Sequence, residues 1–116
     1  LSSGCNSKGT SMQSVYLKFY LTEKHRHNGK LLYEWILEKA RQLGVPGGSV
    51  FRAVAGFGRH GHLHEETFFE LGGELPIQVE FVLNSAHAEQ LIAAMRDEKL
   101  KLPYVSYAVE SGVTGS

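Results

Sequence analysis

The sequence predicts an α+β fold, a ferredoxin-like β-α-β-β-α-β sandwich in which two helices cover one face of an antiparallel sheet. Three observations predict it. Apolar side chains alternate cleanly over 15–22 and again over 77–83. After each of these stretches comes a segment whose apolar residues recur at helical spacing. A further β-rich run follows each helix, at 49–55 and after Pro103, so the chain repeats one strand–helix–strand unit.

In the first strand, VYLKFYLT, Val15, Leu17, Phe19 and Leu21 share one face, and Tyr16, Lys18 and Tyr20 the other. Asn28 and Gly29 open the next segment, in which Leu32, Trp35, Ile36, Ala40 and Leu43 form a helical stripe. Gly44 is placed to stop that helix, and Pro46 enforces the stop. SVFRAVA, 49–55, is β-rich and runs straight into AGFGRHGHLHEE, 55–66. Thr67 to Leu71 is again strand-like until Gly72 and Gly73 interrupt it. Ile77, Val79, Phe81 and Leu83 then alternate against Gln78 and Glu80. Asn84 or Ser85 can cap a second helix with the inner stripe Ala88, Leu91, Ile92 and Met95. Pro103 begins the last strand, with Val105, Tyr107 and Val109 on one face. The sheet face left bare by the helices is expected to carry Tyr16, Lys18, Tyr20, Arg52, Gln78, Glu80, Val82 and Tyr104. Long amphipathic and aromatic side chains of this kind suit a subunit interface around a symmetry axis, against the alternative of an ordinary wet sheet face.

Composition bounds the partners. The 116 residues suffice for one core without a metal or disulfide to hold it. Residues 1–11, LSSGCNSKGTS, precede Met12 and are expected to be an appended, disordered tail, leaving 12–116 as a single domain. Lys plus Arg and Asp plus Glu number 12 each, so no net field draws the chain to nucleic acid or to an acidic membrane. The lone Cys5 argues against an internal disulfide and against a Cys-rich zinc site. No apolar run has the length of a membrane span and no signal peptide opens the chain, so a cytoplasmic protein without membrane insertion is expected.

AGFGRHGHLHEE carries the chemistry, and it reads three ways. Gly56, Gly58 and Gly61 spell the G-x-G-x-x-G of a dinucleotide turn, which needs a helix to follow. HLHEETFFEL has no helical apolar stripe, and the chain lacks repeated parallel βαβ units, so this reading fails. His60, His62 and His64 alternate like metal ligands on one side of a strand, with Glu65 and Glu66 as further donors and His25 and His27 as a second alternating pair. In the third reading the glycines let main-chain N–H groups turn toward an anion, while Arg59 supplies a fork of donors for phosphate oxygens.

These residues, the element order and LPIQVEF after the loop together resemble the PII signal-transduction proteins, whose stretch begins GFGRQ-x-G and returns through an LP-led strand. The closer resemblance is to a PII-like group, domain of unknown function 190. Its members show YLTE, then a GKPLYE-type helix start, then VFR-x-x-AGFG-x-HG-x-x-H. Here the matching blocks are YLTEKHRHNGKLLYE, 20–34, and VFRAVAGFGRHGHLH, 50–64, and the likeness extends from Val15 to Glu110.

The resemblance implies a homotrimer with its sheets facing inward and an adenine nucleotide in the clefts between subunits. It implies that the base of the loop between the second and third strands touches that ligand. Carried over by position, Gly56, Phe57, Gly58 and Arg59 match the PII signature, with Gly61 beyond. His60 stands where PII proteins place a glutamine that helps hold the nucleotide's metal, and its softer nitrogen disfavours Mg-ATP. The basic glycine turn that grips phosphates in PII proteins is replaced by RDEKLKLP, 96–103, which has no glycine and whose only lysines are Lys99 and Lys101. No tyrosine lies between Arg59 and Leu75, so a PII-type uridylylation has no acceptor there. AMP or ADP is therefore expected ahead of ATP, with a divalent metal as a further possibility. Tyr20, Glu23, Lys24, Lys30 and Tyr33 lie around the first strand–helix turn, and Glu23 and Lys30 are taken as cleft residues.

Ser49 and Thr67 sit in no nucleophile motif, and Glu65 and Glu66 fall in a loop, so the expected function is regulatory rather than enzymatic. Ligand binding would order the loop and change its fit to a target protein. The alternative is a metal-responsive trimer of the copper-tolerance type that uses His60, His62 and His64.

Overall fold

Apolar residues at every second position need one dry sheet face, and the computed structural model, which describes residues 12–59, 66–68 and 76–115, supplies it. Its elements in chain order are β1 (Met12–Thr22), β2 (Arg26–His27), β3 (Lys30–Leu31), α1 (Leu32–Leu43), β4 (Ser49–Arg52), β5 (Phe57–Arg59), β6 (Glu66–Phe68), β7 (Pro76–Leu83), α2 (Ser85–Asp97) and β8 (Tyr104–Ser111). The main sheet has the order β4-β7-β1-β8, and every neighbouring pair is antiparallel. Each helix thus links two strands that are separated by a third, which is the ferredoxin-like arrangement. Residues 1–11, expected to be a tail, lie outside the described residues.

Leu17, Phe19 and Leu21 of β1 and Ile77, Val79, Phe81 and Leu83 of β7 form one buried cluster with Leu32, Ile36 and Ala40 of α1 and Ala88, Leu91 and Met95 of α2. Both helices therefore lie over the same face. At Gly48 the backbone passes so close to this core that any side chain would run into the Phe81 ring.

Local chemistry sets the helix ends. Gly44 adopts φ 94°, and its N–H reaches the Ala40 and Arg41 carbonyls, so the expected glycine stop of α1 is present. Asn84, rather than Ser85, caps α2, its side chain accepting from the His87 N–H at 2.6 Å. Asn28 and Gly29 depart from expectation. With φ of 54° and 82° they form the two-residue turn of the β2–β3 hairpin, and α1 starts only at Leu32.

Two expectations for the bare sheet face are corrected by the register. Arg52 pairs with Ile77 and Tyr104 with Phe19, and both partners belong to the buried cluster, so both residues fall on the helix side. Their places on the bare face go to Phe51, opposite Gln78, and to Val105 and Tyr107, opposite Lys18 and Tyr16. The second strand also ends earlier than expected. It stops at Arg52, the Ala53 N–H donates to the Pro76 carbonyl, and the chain then bends.

Candidate functional site

Three chain segments meet at one end of the sheet. Thr22, the last residue of β1, pairs with Pro76, and Arg52, the last of β4, pairs with Ile77, so both strands finish beside the start of β7. Glu23 follows β1 directly. There the Arg52 guanidinium donates side-on to both Glu23 carboxylate oxygens, its Nε to Oε1 at 3.1 Å and its Nη2 to Oε2. This fork-to-fork geometry lowers the Glu23 carboxyl below its usual range, chiefly through the hydrogen bond from Arg52, and raises Arg52 by the same contact. The Tyr33 phenol, in the first turn of α1, lies close enough to add to the effect on Arg52.

The glycine motif leaves from the same place. A Cβ on Gly56 would sit 3.8 Å from Pro76 Cγ, so the motif begins directly over the start of β7. Beyond Gly56 the backbone is neither helix nor plain loop. Phe57, Gly58 and Arg59 pair with Phe68, Thr67 and Glu66 in the β5–β6 ribbon. A strand in this position confirms that no dinucleotide-type helix starts at Gly58, and the strand-like stretch expected from Thr67 begins at Glu66. His60, Gly61, His62 and His64 lie outside the described residues, and so does the metal reading that depends on them.

Of the residues singled out from sequence, the structure brings Glu23 and Gly56 to one sheet end, with the Phe57–Arg59 backbone leading away from it. Lys30 is on the β2–β3 hairpin, exposed and opposite His27. No hydrogen bond or ion pair joins Lys30 to Glu23 or Arg52 among the described residues. The hairpin is tied elsewhere: His27 Nε2 meets Glu98 Oε1 at 3.0 Å, and its ring stands edge-on to Trp35 at 5.0 Å. The imidazole expected as half of a His25–His27 ligand pair is thus turned toward the end of α2. Among the described residues no group of three or more His, Cys, Asp or Glu side chains could hold a metal ion.

Arg52 is the residue that sequence reasoning missed. VFR places two apolar residues in succession, so alternation does not reveal which face Arg52 takes. The register with β7 does. The bare face carries its own polar network: the Tyr16 hydroxyl donates to Glu80 Oε1, and Lys18 Nζ lies 5.4 Å from the Tyr16 ring centre and 5.8 Å from that of Tyr20. Tyr107 packs edge-on against Tyr16 at 5.0 Å. The hydrogen bond to Glu80, aided by burial, pushes the Tyr16 phenol up to about 12.

Known proteins share both the sequence and the architecture. A profile of the DUF190 family, described as "Uncharacterized ACR", matches residues 14–106. A UPF0166 protein of Aquifex aeolicus (strain VF5) is 35% identical over 66 residues, 57% of this chain and 63% of its own length. A UPF0166 protein of Methanocaldococcus jannaschii is 33% identical over 71 residues, 61% of this chain and 65% of its own. The matched stretches thus span under two thirds of these curated relatives. Among solved structures, CPII of Thiomonas intermedia K12, a nitrogen regulatory PII-like protein bound to ADP, AMP and bicarbonate, superposes with a TM-score of 0.60 at 15% identity, covering 89% of this chain and 97% of that one. Among the described residues no helix is long and apolar enough to cross a membrane.

Proposed function

Because the chain belongs to the DUF190 family, we propose that it is a PII-like regulatory protein that binds an adenine nucleotide and performs no chemistry of its own. The observation that carries this reading is that Gly56, which opens the motif, and the Glu23–Arg52 pair share one end of the sheet at the start of β7, in a fold shared with a protein bound to ADP and AMP. Backbone N–H groups freed by glycine, next to guanidinium donors, are suited to phosphate oxygens. Gly56, Phe57, Gly58, Arg59, His60 and Gly61 hold the ligand in this reading, and Glu23 and Lys30 border the cleft. Imidazole in place of an oxygen donor at residue 60 favours AMP or ADP over Mg-ATP.

The active form in this proposal is a homotrimer whose bare sheet faces pack around a three-fold axis, with the nucleotide between subunits. Binding moves the β5–β6 ribbon and so alters the surface offered to a target protein. Calorimetric titration of the full chain with AMP, ADP and Mg-ATP tests it. AMP and ADP should bind saturably and more tightly than Mg-ATP, and Arg59→Ala should weaken AMP by about tenfold, the effect of one lost charge-assisted contact. Absence of binding by all three at millimolar concentration would remove the reading. Replacing His60, His62 and His64 together by alanine separates it from the metal-responsive trimer, which requires loss of copper or zinc affinity with AMP binding intact.

A further inference from the structure

Arg52 and Glu23 belong to the two sequence blocks that carry the family resemblance, and the fold joins them in a bidentate pair beside the start of β7. The pair is open to solvent, with side-chain exposures of 57% for Arg52 and 31% for Glu23. From Arg52 the chain runs through the Ala53–Pro76 hydrogen bond into Gly56, so the pair sits at the sheet end from which the glycine motif departs. Resting on the nucleotide reading, we propose that this pair is a self-occupied anion site. Arg52 receives the ligand's phosphate, and the Glu23 carboxylate holds that place until the phosphate displaces it.

Three features support the exchange. A phosphate monoester presents the same pair of adjacent oxygens that Glu23 presents, so it fits the Arg52 fork without a new geometry. It carries about −1.5 to −2 charge at neutral pH against −1 for a carboxylate, so it wins the competition for one guanidinium. An exposed ion pair contributes little to stability, so breaking it leaves the fold intact. The exchange also reports occupancy: before binding, the end of β1 is tied to the end of β4, and after binding that tie is released next to the β5–β6 ribbon.

The test is calorimetry at one fixed ionic strength, with AMP and adenosine as probes, on the wild-type chain, Glu23→Gln and Arg52→Gln. Glu23→Gln removes the competitor and should tighten AMP by about three- to tenfold, while Arg52→Gln should weaken it by about tenfold or more. Adenosine, which has no phosphate, should change by less than about twofold in either variant. The proposal is overturned if wild type binds AMP and both variants match it within about twofold, or if AMP and adenosine weaken together in both. A wild-type chain that binds no AMP would instead sink the nucleotide reading, and this inference with it.

Discussion

At the scale of single residues, two hydrogen-bonded acids make opposite predictions with pH. The Tyr16 phenol is raised to about 12 by its hydrogen bond to Glu80, above the ordinary value of 10.0. Its contribution is therefore fully present below pH 10 and is lost as pH rises toward 12. With this ring close to solvent the contribution is at most about 1 kcal/mol. Urea unfolding of wild type and Tyr16→Phe across that window should show a stability gap that closes at the alkaline end; parallel curves would contradict it. Glu23 behaves conversely. Its carboxyl is held low by Arg52, so its ion pair is present at neutral pH and is lost as pH falls through its lowered value. Carboxyl titration by NMR should show the Glu23 midpoint rising in Arg52→Gln, and an unmoved midpoint would mean that the pair does not persist in solution.

At the scale of elements, caps and turns carry the testable energies. Asn84→Ala removes the acceptor for the His87 N–H and should cost about 1 kcal/mol in denaturant unfolding. Gly29→Ala forces a Cβ onto a residue at φ 82° and should cost about 1 kcal/mol, although the space around it is open. An unchanged stability at Gly29 would mean that the hairpin is not fixed in this turn. The long strands and both helices are legible in the sequence because each has enough residues for alternation or a helical stripe to show. The hairpin is not, because β2 and β3 have two residues each and no period to detect, although Asn-Gly between them is its turn signal. β5, with three residues, is likewise too short, so the root of the glycine motif reads as loop in the sequence, whereas β6 overlaps the strand-like stretch expected from Thr67. The role of Glu23 can be suggested by its sequence block. Its partner Arg52 cannot, because only the register with β7 places it.

At the scale of the whole molecule, the proposed trimer rests on the bare sheet face. Phe51, Tyr107, Val82 and Val105 are 54%, 50%, 44% and 40% exposed, and the register sets them on one side with Tyr16 and Tyr20. A face this apolar is better covered by other subunits than by water. On the proposed assembly, light scattering should show a trimer for wild type, and Tyr107→Lys should yield folded monomers. A monomeric wild type would leave the face without its proposed cover.

The most direct measurement of the central claim is a crystal structure of the full chain grown with AMP. The account predicts nucleotide density where Gly56 leaves the start of β7, between neighbouring sheets, with the phosphate on Arg52 and Glu23 turned away. AMP bound elsewhere, or an intact Glu23–Arg52 pair beside an empty cleft at millimolar AMP, would contradict it.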